Sequence, residues 1–384
     1  MKAPISKPWL VAGTVMVAVA AAALAPTMAH AASDGGPDAS PATTVTTVAT
    51  QLNVPRGIVY DPAGRRVLVA ESGVAAADTG PCTTGGQSGL CFGATGSVFS
   101  YSLASGSSSR IVTGLPAFSN AAGQFVQGLE DLSLYRGQLT GVFSLSGTTA
   151  ARAQLGPGAA DLGQAVVFGP HGSLRPVADV AAKEAHLYGP DATSNPFGVT
   201  TGPFGMLIAN AYGTPAAGTL YGGNDILQLR GRSLSQLVAF PQRTLAADPS
   251  EVVNSAPDVV IPGPGGAFYV GELTAYPYYP SAADIWRVVP GHAPTLVASG
   301  LTKVIDMAFD SQGRLLILES GKRDMAPALL RLNRDGTLTN IPVAGLNVPG
   351  GLAITGRDTL YITNNSGGVG GDGQLLKVTV SGGV

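Results

Sequence analysis

Carboxylates and carboxamides return along this chain at comparable points: Glu71, Asp131 with Glu130 beside it, Asn210, Asp258, Glu272, Asp306, Glu319 and Asn364. Each stands either at the start of an apolar segment, as in Glu130-Asp131-Leu132 and Ile305-Asp306-Met307, or at the end of the next one, as in Val67-Leu68-Val69-Ala70-Glu71. A fold that gathers such positions at one opening makes the acids repel one another and raises their pKa values, unless a cation or basic partner enters. Calcium suits such a set, because it takes about six to eight oxygen ligands and accepts carboxylates and amides together. Glu71, Asp131, Asp258 and Asp306 would be its first ligands, and the whole set would line a ligand-binding mouth. The same residues fit a structural reading, in which each caps the backbone amides of a neighbouring loop and water fills the space between them. Spacing does not separate a ligand from a cap.

Other chemistries find less support. The sequence has no Gly-x-Ser-x-Gly elbow, no Gly-x-x-x-x-Gly-Lys phosphate loop and no His-Glu-x-x-His helix. Of its histidines, His171 and His292 fall in Gly-Pro-rich turns and His30 in an N-terminal leader, so only His186 could approach the acids. A hydrolase built from these residues would be a metal-assisted lactonase or esterase with a carboxylate base. A second candidate surface is Tyr276-Pro277-Tyr278-Tyr279-Pro280, whose rings Tyr276, Tyr278 and Tyr279 could stack on a glycan or anchor a protein partner.

What must position these residues is a repeat. After about residue 44 the chain cycles through an apolar strand, a tight turn, a second strand ending in an acid or amide, a longer loop and two more strands. Four-stranded repeats of roughly 40–50 residues are propeller blades. Copies begin at Pro55-Arg56-Gly57, Glu130-Asp131, Pro196-Phe197-Gly198, Pro257-Asp258, Ile305-Asp306 and Pro349-Gly350-Gly351. The turns Asp61-Pro62-Ala63-Gly64 and Asp310-Ser311-Gln312-Gly313 carry residues that hairpins require. The last copy stops after its third strand, Gln374 to Val380, whereas Thr44 to Leu52 has the pattern of a fourth. The sequence therefore predicts an all-β, six-bladed propeller over 44–384, closed by its N-terminal strand, with the long loops and the acids on one face.

The stretches Gly128-Leu129-Glu130-Asp131-Leu132, Ser194-Asn195-Pro196-Phe197-Gly198, Tyr269-Val270-Gly271-Glu272-Leu273 and Val348-Pro349-Gly350-Gly351 resemble the ScyD/ScyE family over nearly the whole mature chain. That resemblance implies an exported, NHL-like propeller and carries no established activity.

Composition agrees with an all-β protein: 45% hydrophobic and 12% charged residues, 53 glycines and 28 prolines. With 22 basic and 24 acidic residues the net charge is -2, which offers no broad cationic field and argues against nucleic acid as a partner. Lys2 and Lys7, an apolar run from Trp9 to about Leu24, and Ala29-His30-Ala31 read as a signal peptide over 1–31, followed by a flexible linker over 32–43. The apolar run is short for a spanning helix, so no membrane insertion is expected after cleavage. In an exported chain Cys82 and Cys91 are expected to form one local disulfide. The function expected is that of a secreted binding module for a small molecule, glycan or extracellular protein; the alternative is a calcium-dependent lactonase or esterase working at the channel mouth.

Overall fold

A computed structural model describes residues 40–74, 80–84, 89–120, 122–123, 125–211, 223–245, 247–321 and 325–384. The signal peptide and most of the linker expected from the sequence lie outside them. Six four-stranded antiparallel sheets follow one another along the chain.

The first blade is built from Pro55–Asp61, Arg66–Glu71, Cys91–Ser102 and Ser108–Ser119. The second uses Leu129–Tyr135, Gln138–Phe143, Gln164–Phe168 and Leu174–Asp179, and the third Asn195–Gly202, Gly205–Ala211, Asp225–Arg230 and Ser233–Ala239. The fourth uses Pro257–Pro262, Phe268–Glu272, Ala283–Val288 and Thr295–Leu301, and the fifth Val304–Phe309, Leu315–Glu319, Ala328–Leu332 and Leu338–Asn340. In the sixth, Gly351–Ile354, Thr359–Asn364 and Gly373–Val380 are joined by Thr43–Leu52 from the chain's beginning. Thr43 pairs with Val380, Val45 with Val378 and Leu52 with Gly373, which closes the ring as the sequence predicts.

Alternation along a strand explains why the blades stack. Successive side chains of Arg66–Glu71 point to opposite faces of its sheet. Val67 and Val69 pack with Tyr361 and Leu375 of the sixth blade, whereas Leu68 and Ala70 pack with Leu129, Leu132 and Phe143 of the second. Both faces are therefore covered, and Val67-Leu68-Val69-Ala70 reads as an unbroken apolar run rather than an alternating one. Each such buried aliphatic side chain contributes about 1.5–3 kcal/mol.

The hairpin turns are pinned by their acids. Asp61 accepts from the Gly64 amide at 2.9 Å and from Arg66 Nε at 2.9 Å. Asp310 does the same with the Gln312 and Arg314 amides and with Arg314 Nε. Cys82 and Cys91 form the expected disulfide, their Cα atoms 4.0 Å apart.

Two connections between blades carry structure of their own. The stretch after residue 180 is the helix Val180–Tyr188, capped by Asp179, whose carboxylate accepts from the Ala182 amide. The run Ala181-Ala182-Lys183-Glu184-Ala185 has the propensity to continue from such a cap. Between the third and fourth blades, Arg243–Leu245 pairs with Asp248–Val253 as a small extra hairpin.

Candidate functional site at the channel mouth

The first strand of a blade is the one nearest the channel, and in five of the six blades its pairing slips at the start. The register jumps between Pro55 and Ile58, Leu129 and Asp131, Pro196 and Gly198, Pro257 and Val259, and Val304 and Asp306. A bulge of this kind re-aims a side chain. The skipped residues Arg56 and Gly57, Glu130, Phe197, Asp258 and Ile305 all line one cavity of about 190 Å3 at the channel mouth. Asp131 and Asp306, one residue further along their strands, line it as well.

Asp131 and Asp306 occupy equivalent places on the second and fifth blades, which face each other across a six-membered ring. Each carboxylate accepts from the amide that follows it, Leu132 or Met307, at 2.7 Å. Its other oxygen accepts from the next blade: Asp131 from the Val199 amide at 2.9 Å, Asp306 from the Leu352 amide at 2.7 Å. These acids thus tie adjacent inner strands together while facing the cavity. Asp258 differs, having no hydrogen-bond donor among the described residues.

Burial pushes all three carboxyls up. Asp131 stands well above the usual carboxylate range through burial and the charge of Asp306, against the pull of its two amides. Asp258 is raised by burial and by Glu130, with Arg56 opposing. Asp306 is pushed up to about 7 by burial, against the Leu352 and Met307 amides. The facing guanidinium is already engaged: Arg56 Nε lies 3.2 Å from Glu130 Oε2, and Arg56 Nη2 donates to the Val126 carbonyl. Lys303, buried at the rim, places its Nζ 4.9 Å from the centre of the Tyr278 ring. Val54, Phe125, Val126, Leu273, Tyr278 and Ile305 complete an apolar and aromatic rim.

Gly57 makes room for this arrangement. A Cβ built there would meet Asp131 Oδ1 at 2.0 Å. Gly57→Ala is expected to push Asp131 off its amides and lower the unfolding free energy by about 1–3 kcal/mol, read from denaturant melts. A loss under about 0.5 kcal/mol would mean that the aspartate can move aside freely.

The acids and amides at the ends of second strands serve a different purpose. Glu71 accepts from the Asn53 amide, from Ser97 and from Arg110, whose Nε lies 2.7 Å away. Glu272 is held by Arg243, Trp286 Nε1 and the Asp284 amide. Glu319 accepts from the Thr302 amide, Asn364 from the Asn347 amide, and Asn210 from the Asn195 amide. Glu71, Glu319, Asn364 and Asn210 thus cap the backbone that leads into or opens their blade's first strand, whereas Glu272 caps the third strand at Asp284 and ties down the preceding segment through the Arg243 side chain. Glu71, Asn210, Glu272, Glu319 and Asn364 do not line the cavity, so the eight residues read together from the sequence divide into three that face the channel and five held in hydrogen bonds away from it.

That division bears on calcium. Glu71 is committed to Arg110, away from Asp131, Asp258 and Asp306. Among the described residues no three His, Cys, Asp or Glu side chains converge closely enough to hold a metal ion. The residues present do not fit the proposed four-ligand set.

Of the aromatic loop, Tyr278 lies at the mouth and Tyr276 is 62% exposed, set edge-on to Tyr278 with ring centres 6.0 Å apart. Tyr279 turns away and donates to Glu251 on the extra hairpin. His186 sits exposed in the last turn of its helix and does not reach the cavity. Arg56 and Lys303 escaped the sequence reading. Aligning the second residue of each inner strand, Arg56 with Glu130 and Asp258, would have exposed the first.

No protein-family model matches the chain, and no curated protein matches its sequence. Among solved structures it is similar to a gluconolactonase from Xanthomonas campestris, 12% identical, with a TM-score of 0.52 over 88% of this chain and 90% of that one. It is similar also to a glucose dehydrogenase, 14% identical with a TM-score of 0.52 over 87% and 98% of the two chains. A second structure described as a gluconolactonase gives 13% identity and a TM-score of 0.51 over 90% and 94%. At such identities the likeness establishes the propeller fold and leaves the chemistry to the residues.

Proposed function

We propose that this chain is an exported binding propeller of the ScyD/ScyE type, whose channel mouth takes a small molecule with a cationic centre and an apolar or aromatic body. The observation that carries the proposal is the convergence of Asp131, Asp258 and Asp306 on one cavity whose facing guanidinium, Arg56, is already paired with Glu130. An ammonium group entering there would offset the burial that raises all three pKa values and the mutual charge that adds to it at Asp131 and Asp258. The rim of Phe125, Phe197, Leu273 and Tyr278 would cover the ligand's apolar part. The Cys82–Cys91 disulfide is compatible with an extracellular site of action. No helix among the described residues is long and apolar enough to cross a membrane.

Isothermal titration with a panel of amines, such as a diamine, choline and phenethylamine, tests this reading. Binding is expected for at least one of them, weakening as salt is raised. A panel that gives no heat, set beside binding of a neutral glycan that is lost in Tyr276→Ala/Tyr278→Ala, would transfer the function to the aromatic loop.

A lactonase or esterase reading is favoured by one observation. Asp258 is a half-buried carboxyl with a raised pKa and no hydrogen-bond donor, which suits a general base near neutral pH. It would take a proton from water attacking the ester carbonyl and return it to the departing oxygen. The gluconolactonases with the same fold lend that reading context. Turnover of lactones or aryl esters that disappears in Asp258→Asn would establish it.

A further inference from the structure

We propose that Glu184 and Asp225 hold a calcium ion, at a second site away from the channel. Glu184 lies on the helix Val180–Tyr188 that follows the second blade, and Asp225 opens the third strand of the third blade, paired with Asn210 and Ala239. Both side chains belong to fully buried residues, each 0% exposed. Neither carboxylate oxygen of Glu184 meets a hydrogen-bond donor among the described residues, and Asp225 Oδ1 meets none either. Asp225 Oδ2 accepts from Gln236 Nε2 at 2.6 Å, and the Asn210 and Glu184 side chains stand beside the same carboxyl. Three carboxylate oxygens are therefore out of water with no nitrogen or hydroxyl donor, and the two acids stand within hydrogen-bonding reach of each other.

An arrangement of that kind is strongly unfavourable unless something positive lies between the acids. Among the described residues neither acid has an ion-pair partner within 4.0 Å, and Lys183 acts on them only from further off. The acidic donors are two carboxylates, short of the three acid or imidazole side chains that no cluster among the described residues supplies, so amide oxygens would have to complete the shell of a hard cation. Magnesium keeps several waters in a strict octahedron, whereas calcium accepts bidentate carboxylates in irregular geometry, so a dry pair of acids suits calcium better. The cover is thin. Gln236 is exposed and also donates to Tyr188 Oη at 2.5 Å, so a turn of its carboxamide would open the pair and present an amide oxygen to the ion.

The physical rival is a proton shared by the two carboxyls. Burial and the charge of Asp225 push Glu184 up to about 9, and burial pushes Asp225 up to about 7, so a cation-free pair would keep a proton at neutral pH. Calcium would have to displace it.

Titration of calcium chloride into chelator-stripped full-length protein at pH 8 separates the two. The expected result is one ion bound per chain, and at a hundredfold excess over Kd a rise in Tm of about 4 °C. Glu184→Gln and Asp225→Asn should each weaken calcium binding at least tenfold while leaving amine binding at the channel unchanged. Asp258→Asn should leave calcium binding unchanged. A folded Glu184→Gln protein, verified by circular dichroism, that binds calcium as tightly as the parent would overturn the proposal. So would a parent protein that binds no calcium and shows no shift in Tm, which would leave the shared proton as the whole account.

Discussion

Replacing Arg243 by methionine is expected to lower the unfolding free energy by about 3–5 kcal/mol, the cost of breaking a buried ion pair from one side. Arg243 reaches Glu272 with both terminal nitrogens, at 3.1 and 2.5 Å, and also engages Asp284 and the Ala282 carbonyl. Glu272 is fully buried. Its remaining donors, Trp286 Nε1 and the Asp284 amide, do not neutralise its charge. Burial already holds the Glu272 carboxyl above its ordinary value, with Arg243 opposing, so removing the arginine would raise it further. A carboxyl whose folded pKa lies above the unfolded one contributes stability that is lost as pH rises through the folded value. The variant should therefore recover part of its deficit on acidification toward pH 5, and Arg243→Met/Glu272→Gln should recover most of it at pH 7. The Arg66–Asp61 pair, more open to water with side chains 39% and 11% exposed against 27% and 0% for Arg243 and Glu272, supplies the contrast: Arg66→Ala is expected to change stability by less than about 1 kcal/mol. Denaturant melts of the three proteins check the series, and equal losses for Arg243→Met and Arg66→Ala would refute the argument.

The contrast between these pairs also shows where sequence reading stops. Repeats carry the architecture openly. Strand order, the turn aspartates Asp61 and Asp310, the Cys82–Cys91 bridge and the use of Thr43–Leu52 to close the ring follow from local patterns that return blade after blade. Roles at the channel are harder to see, because a repeat places Glu71 and Glu272 at the same point for the same structural purpose, as anchors for an arginine, and a motif cannot reveal that those arginines come from elsewhere. Arg110 lies on the fourth strand of the first blade, Arg243 on an extra hairpin. The bulges decide the rest. Shifting the register by one residue sends Glu130 and Asp258 to the mouth, and no single-residue signal marks that slip. The helix carrying Glu184 was hidden for a related reason: among so many strands, its Ala-rich run looked like one more polar connection.

Asp258→Asn is expected to reduce the affinity for a bound amine at the channel about 10- to 100-fold at pH 8, and to stabilise the ligand-free protein at the same time. Both effects follow from one cause. Asp131, Asp258 and Asp306 have folded pKa values above the ordinary carboxylate value, so the folded state holds protons that the unfolded chain has released. Stability then falls as pH rises from about 4, and for Asp306 the fall is complete once pH passes about 7. A cationic ligand works in the opposite direction, since it binds the ionised acids and releases their protons. Its affinity should climb over the same range in which the empty protein weakens, and saturating amine should flatten the dependence of Tm on pH between 5 and 8. Replacing Asp258, the one of the three with no backbone amide to serve, removes charge without loosening an inner strand. Its variant should therefore melt higher than the parent at pH 8 and nearly with it at pH 4. Asp306→Asn would remove charge as well, but its amide nitrogen cannot accept both the Met307 and Leu352 bonds, so any gain at pH 8 should be offset by a loss at pH 4. If both variants lose stability equally at every pH, the acids act as structural ties alone, and the cationic ligand has no basis in this channel.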